Sequence, residues 1–207
     1  MIYEVRTYRL RPGTLGTFID RYAEAYEERK AHSELAASLT CEVGPLDQFV
    51  NVWPYESHAH REQVRQDSMK AGGAWPPRSQ DVMREMHSQI FVPFDFAPEF
   101  LTGRHGPVFE WRMYQIQTDA MPAIREVWSE AIDDRRELSP LVAAMSSENG
   151  TLNSFVHVWG YESLAHRDAV RAEAVAKGLW PPRSAPAGTI IQEDSKIMAP
   201  TRISPLQ

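Results

Sequence analysis

The stretch Val50-Asn51-Val52-Trp53-Pro54-Tyr55-Glu56-Ser57-His58-Ala59-His60-Arg61 returns as Val156-His157-Val158-Trp159-Gly160-Tyr161-Glu162-Ser163-Leu164-Ala165-His166-Arg167. Nine of the twelve positions are identical, at an offset of 106. The same offset carries Glu4, Arg6 and Tyr8 onto Glu110, Arg112 and Tyr114, and Arg29 onto Arg135. Trp75-Pro76-Pro77-Arg78-Ser79 recurs as Trp180-Pro181-Pro182-Arg183-Ser184 at an offset of 105, so one residue is lost between the two runs. Solenoid repeats run to about 20–50 residues, so a period this long reads as duplication of a whole module. The expected modules are residues 1–100 and 107–207, joined near Ala97 to Pro107, where Pro98, Gly103, Gly106 and Pro107 break regular structure.

Each copy opens with strand-like alternation, Tyr3, Val5 and Thr7 against Glu4, Arg6 and Tyr8. Pro12-Gly13-Thr14 ends that strand. Leu15, Phe18, Tyr22, Tyr26 and Arg29 then recur at helical spacing, predicting a helix over about 15–34. Met121, Ile124, Trp128 and Ile132 do the same in copy two, with Pro122 in the tolerant first turn. A strand near Ser38–Val43, a Gly44-Pro45-Leu46-Asp47 turn and a strand over Gln48–Tyr55 form a hairpin. Ser57 and Ser163 are placed to cap a second helix, which the Trp-Pro-Pro run is expected to end. Ser79 is expected to cap a further short helix reaching Met86, which Pro186 and Gly188 weaken in copy two. Last strands are expected near Ser88–Phe94 and Glu193–Ala199.

The order β-α-β-β-α-β is the ferredoxin-like arrangement, an α+β class with two helices on one face of a four-stranded antiparallel sheet. A module of ~100 residues has little core to spare, so its other sheet face needs a cover. The two copies supply it by packing sheet to sheet as a dimeric-type α+β barrel. Pairing with copies from another chain, in a homo-oligomer, is the alternative.

Composition narrows the function. A net charge of −6 and a pI near 5.7 disfavour a nucleic-acid or anionic-membrane surface. No apolar run of about 18 residues suggests a membrane span. The opening Met1-Ile2-Tyr3-Glu4-Val5 lacks the features of a signal or transit peptide. One cysteine, Cys41, allows no internal disulfide and no cysteine-built zinc site, and fits a reducing, cytoplasmic setting. No phosphate loop, nucleophile elbow or His-Glu-x-x-His motif is present, so no cofactor and no metal is expected. His58 and His60 are two apart and cannot share a helical face as metal ligands. His60 and His166 read as solvated or capping, and Trp75 and Trp180 as anchors for the loop after the second helix, with pocket lids as the sharper alternative.

The opening run Ile2 to Gly13 and the run Glu42 to Trp53 followed by Tyr55-Glu56-Ser57 resemble NIPSNAP-family domains. Copy two is similar at Leu152-Asn153, Val156-His157-Val158-Trp159 and Tyr161-Glu162-Ser163-Leu164-Ala165, and at Ile203-Ser204-Pro205-Leu206. The resemblance implies the dimeric α+β barrel superfamily, which also holds cofactor-independent monooxygenases, haem-dependent enzymes and small isomerases. It implies no settled activity. The sequence departs from the usual pattern at Asn51, where copy two keeps His157, and at the copy-two opening Phe109-Glu110-Trp111-Arg112.

Strand side chains alternate between faces. With Tyr3, Val5 and Thr7 packed on the helices, Glu4, Arg6, Tyr8, Asn51, Trp53 and Tyr55 would point into the barrel, as would Glu110, Arg112, Tyr114, His157, Trp159 and Tyr161. Such polar groups are costly to bury unless paired, which makes the rows a candidate site. In the functional reading they line a pocket for a small polar or aromatic molecule. Arg112 takes an anionic group, His157 acts as base or proton shuttle, and Trp159 and Tyr161 stack on a ring. Cofactor-independent oxygenase or isomerase activity is then open. The competing readings are a structural Glu-Arg pair with a satisfied histidine, a non-catalytic assembly or interaction module, and, by superfamily analogy, haem binding.

Overall fold

The computed structural model describes residues 1–97, 99–182 and 187–207. Pro98, Arg183, Ser184 and Pro186, and with them the expected second-copy break at Pro186, lie outside the described residues. The first copy runs β1 (Ile2–Leu10), α1 (Leu15–Arg29), β2 (Ala37–Val43), β3 (Gln48–Tyr55), α2 (His58–Lys70) and β4 (Met83–Pro93). The second runs β5 (Val108–Ile116), α3 (Met121–Arg136), β6 (Leu141–Ser147), β7 (Ser154–Tyr161), α4 (Leu164–Ala176) and β8 (Ile190–Pro200). Among the described residues no helix is long and apolar enough to cross a membrane.

The strands close into one antiparallel barrel in the order β1-β3-β2-β8-β5-β7-β6-β4. The two copies therefore pair within the chain. Two ladders join them: Leu39, Thr40 and Cys41 face Pro200, Ala199 and Met198, while Phe91, Val92 and Pro93 face Ser147, Ser146 and Met145. Neither four-stranded sheet then keeps a free outer edge.

Local signals explain most boundaries. Ser57 Oγ accepts the His60 amide at 3.1 Å and Ser163 Oγ the His166 amide at 3.0 Å, the expected caps. The two histidines complete them in return: His60 Nδ1 accepts from the Glu56 amide and His166 Nδ1 from the Glu162 amide. Helix α1 stops at Arg29, short of the predicted end. Helix α2 ends at Lys70, ahead of the Trp-Pro-Pro run, because Gly72 and Gly73 take positive φ. No helix follows Ser79. The chain turns at 80–82 and β4 starts at Met83, where Leu10 pairs with it.

The barrel interior is mostly apolar. Tyr3, Val5, Leu39, Val50, Val52, Trp111, Val156 and Val158 meet there in one buried cluster. Phe100 of the connecting segment and Leu206 belong to the same cluster, and the Phe100 amide donates to the Tyr3 hydroxyl at 2.9 Å. Two further cores lie between sheet and helices. One holds Tyr8, Phe18, Tyr22, Phe49 and Trp53, the other Tyr114, Trp128, Phe155 and Trp159.

The expected facing is thus reversed. The Glu-Arg-Tyr and Trp-Tyr rows lie beneath the helices, and the Tyr3-Val5-Thr7 row faces the interior. Size decides this. An eight-stranded barrel is just wide enough for side chains to fill, and β-branched residues suit it. The aromatic Tyr8, Phe49, Trp53 and Tyr55 find their partners in Phe18, Tyr22 and Tyr26 of α1.

Candidate functional site

Beneath the helices the predicted residues are organised into two polar networks, each present twice. In the first, Glu4 is 1% exposed and its Oε1 accepts from Arg61 at 2.7 Å and from Ser88 at 2.6 Å. Burial opposes ionisation of Glu4, but the Arg61 and Ser88 hydrogen bonds and the Arg6 charge outweigh it and hold the carboxyl below its ordinary value. Glu110 repeats this with Arg167 at 2.6 Å and Ser195 at 3.1 Å, and it too is held low against burial. In the second network, the Arg29 guanidinium lies 4.3 Å from the Trp53 ring centroid and donates to the Tyr55 hydroxyl at 3.1 Å and to Ser33 Oγ at 2.8 Å. Arg135 repeats it over Trp159 at 4.0 Å, with Tyr161 and Ser139. The buried charges are thus paired or stacked, as burial requires.

The copies differ in what lies beside these networks. In copy one a pocket of about 260 Å³ opens between sheet and helices. Glu4, Arg6, Tyr8, Trp53 and Tyr55 line it from the sheet, Tyr22, Arg29 and Arg65 from the helices, and Trp75 and Pro76 from the loop. The Arg6 guanidinium sits 5.5 Å from the Tyr8 ring centroid. Glu4 Oε2 and the Tyr22 hydroxyl are buried there with no protein partner. Beneath them Asn51 is fully buried, and both polar atoms of its amide also lack a partner. Burial pushes the hydroxyls of Tyr8, Tyr22 and Tyr55 upward in pKa, so all three stay protonated donors.

In copy two Trp128 stands where copy one has Tyr22, and His157 where it has Asn51. The His157 ring packs against Trp128 at 4.6 Å, Tyr114 at 4.9 Å and Phe155 at 5.2 Å between centroids. Trp159 Nε1 donates to His157 Nδ1 at 2.8 Å, which fixes the tautomer with the proton on Nε2. Burial, then the charges of Arg112, Arg135 and Arg171, push the His157 pKa well down, so the ring is neutral. Arg112 pairs with Glu110 at 3.8 Å.

The NIPSNAP family profile matches the chain twice, over residues 3–98 and 109–205. The chain belongs to the NIPSNAP family. Its relatives include Protein NipSnap of Drosophila melanogaster, 28% identical over 217 residues that take in 100% of this chain and 79% of that one. Protein NipSnap homolog of Dictyostelium discoideum is 36% identical over 183 residues, covering 86% of this chain and 78% of the other. Among solved structures, an anthrone oxidase-like protein shares the fold at a TM-score of 0.59 and 12% identity, covering 97% of this chain and 91% of that one. The NIPSNAP resemblance and the duplicated α+β barrel are therefore both established.

Within the first NIPSNAP module the structure brings together five of the residues picked from the sequence: Glu4, Arg6, Tyr8, Trp53 and Tyr55. Asn51 lies under them. In the second NIPSNAP module Glu110, Arg112, Tyr114, His157, Trp159 and Tyr161 share the equivalent layer beneath α3 and α4, packed against Trp128 and Trp180. Sequence reasoning missed the cations contributed by helices, Arg29, Arg61 and Arg65. Their signal was present: all three recur at the 106-residue offset, as Arg135, Arg167 and Arg171. Trp75 is both anchor and wall, edge-on to Tyr22 at 5.3 Å and to Trp53 at 6.1 Å.

Proposed function

We propose that this NIPSNAP protein binds a small aromatic anion in the pocket between the sheet and helices of its first module. The observation that carries this is a cationic, aromatic pocket in which two buried polar atoms, Glu4 Oε2 and the Tyr22 hydroxyl, have no protein partner. Arg6 and Arg65 offer guanidinium forks for a carboxylate or similar anion. Tyr8, Trp53 and Trp75 give the pocket aromatic walls. Glu4 Oε2 and the Tyr22 hydroxyl, buried and unpartnered, call for a donor and an acceptor on the ligand. A volume of about 260 Å³ lies just under the usual range for ligand pockets and limits the ligand to a single ring.

Binding is the reading here, not turnover. An oxygenase or isomerase route needs a base, and Glu4, the carboxylate in the wall, is held ionised by Arg61 and Ser88 and is a weak one. His157 belongs to the other module and is sealed by aromatic rings.

Titration calorimetry with 4-hydroxybenzoate tests the proposal. The expected result is saturable binding, weakened at least about tenfold in Arg6→Gln and in Arg65→Gln, since a hydrogen bond to a charged group contributes about 1.5–3 kcal/mol. The neutral 4-hydroxybenzamide should bind more weakly than the acid. Equal affinity of acid and amide, or indifference to both arginine substitutions, would refute the site.

A further inference from the structure

A second cavity, of about 320 Å³, lies inside the barrel, on the opposite side of the sheet from the pocket just described. Val5, Phe91, Trp111 and Val156 give it apolar walls. Phe100 and Leu206 fill the interior near the Tyr3 end of β1. The cavity sits toward the other end, by Thr7 and the β2–β3 turn, where Pro45 lines it. His87 and Asp194, both exposed, stand at its rim and leave it an entrance.

Lys196 is the lysine in this wall. Its Nζ donates to Gln48 Oε1 at 2.6 Å and lies 5.6 Å from the Trp111 ring centroid. Gln48 and Trp111 also line the cavity, so three of its walls converge on the amine. Among the described residues Lys196 makes no ion pair. Lys30 and Lys177, by contrast, each follow the end of a helix and pair with a glutamate on it. The surroundings penalise its charge: burial brings the pKa down to about 8, only partly opposed by the neighbouring Cys41 thiol.

The strand registers add a second observation. Trp111 pairs with Lys196 as Val5 pairs with Gln89, so the duplicated position carries an uncharged amide in the first module. The amine is therefore not part of the repeated packing scheme. Gln89 lines the same cavity from the other side, and the site has one amine where duplication could have given two.

We propose that the barrel cavity is a site for a small apolar or aromatic aldehyde, held as an imine on Lys196. The neutral amine attacks the carbonyl carbon, the C–N bond forms, and the carbonyl oxygen takes the proton to give a carbinolamine. Loss of that hydroxyl as water leaves the C=N bond. The condensation releases one water and needs no oxidant or reductant. A partly buried lysine with no ion pair, set against apolar walls, is an environment that favours the neutral, nucleophilic amine near neutral pH. The cavity volume is at the low end for ligand sites and fits one ring.

Reductive trapping tests this. The full chain is incubated with benzaldehyde and sodium cyanoborohydride near pH 7.5, and the benzylated lysine is located by peptide mapping. The chain has four lysines, Lys30, Lys70, Lys177 and Lys196, and the first three are exposed. Trapping at Lys196 is expected at least about tenfold faster than at the others, from its larger neutral fraction, with a rate that saturates in benzaldehyde. Lys196→Gln, which puts in the residue the first module uses, should abolish the fast phase and leave the slow labelling of the other three. A Lys196 rate no higher than theirs would overturn the proposal. So would a rate that rises linearly with benzaldehyde, which would mean an accessible amine with no binding step. Neither outcome bears on the aromatic-anion pocket, whose residues are not shared.

Discussion

Acidification should unfold this protein partly through His157, and replacing that residue by asparagine should remove the effect. The ring is 1% exposed, and its Nδ1 lone pair is already used by the Trp159 indole N–H. Protonation would set two N–H donors against each other and add a charge near Arg112, Arg135 and Arg171. The folded-state pKa is therefore depressed. The sign follows: the stabilisation is fully present above the unfolded value of about 6.5 and is lost as pH falls toward the folded one. While the folded ring stays neutral, the loss is RT ln(1 + 10^(6.5 − pH)), about 1.4 kcal/mol at pH 5.5 and about 2 kcal/mol at pH 5.0. Copy one carries Asn51 at the same place, so His157→Asn is a substitution this layer already accommodates. Urea unfolding of both proteins at pH 7.5 and 5.0 measures the difference. The variant starts lower at pH 7.5, having lost a large side chain, but should lose about 2 kcal/mol less on going to pH 5.0. Equal pH dependence in the two would sink the reasoning, as would a His157 imidazole resonance titrating above pH 6 in the folded protein.

Arg29→Lys keeps the charge but loses the planar fork shared by Tyr55, Ser33 and the Trp53 face, and should cost about 2–3 kcal/mol in denaturant unfolding. Arg135→Lys should cost a similar amount, and because the two arginines share no partner in these networks, the double variant should show the sum within about 0.5 kcal/mol. Glu4→Gln should cost about 2 kcal/mol at neutral pH, less than a fully buried pair because Arg61 is partly exposed. Since the Glu4 carboxyl is held low, its contribution is present above about pH 4.5 and is lost as pH falls through the folded value. Circular dichroism between pH 5 and 2 should accordingly show a shallower acid limb in the variant, and an unchanged limb would contradict the assignment.

The duplication made the topology legible, and the same property of the strands hid the orientation. Gln48–Tyr55 was bounded correctly because a turn and a serine cap flank it. Every residue of β7 is buried, however, and all but one of β3. Period-two alternation tells the two faces of a strand apart but cannot say which cover each receives, because helices and a second sheet both demand burial. The polar row looked like a barrel lining only as long as its partners were unknown. Those partners, Arg29, Arg61 and Arg65, sit on helices at spacings that read as ordinary amphipathic surface, so nothing local in the sequence joined them to Glu4 or Trp53. A glycine pair, Gly72-Gly73, likewise outranked the prolines that follow it in ending α2.

Comparison of the two copies separates structural from functional residues better than either copy alone. What both modules keep is paired charge: Glu4 and Glu110 through one carboxylate oxygen each on Arg61 and Arg167, Arg29 and Arg135 on tyrosine, serine and indole. These are requirements of folding, since a duplicated sheet must bury the same row twice. The modules also differ at positions that line or underlie the two cavities. Tyr22 against Trp128 and Asn51 against His157 differ at or beneath the first pocket. Gln89 against Lys196 and His87 against Asp194 differ across the walls of the barrel cavity. A polar atom left without a protein partner in copy one, such as the Tyr22 hydroxyl, is tolerable where a ligand or solvent completes it. Where copy two closes the same layer, an indole takes its place.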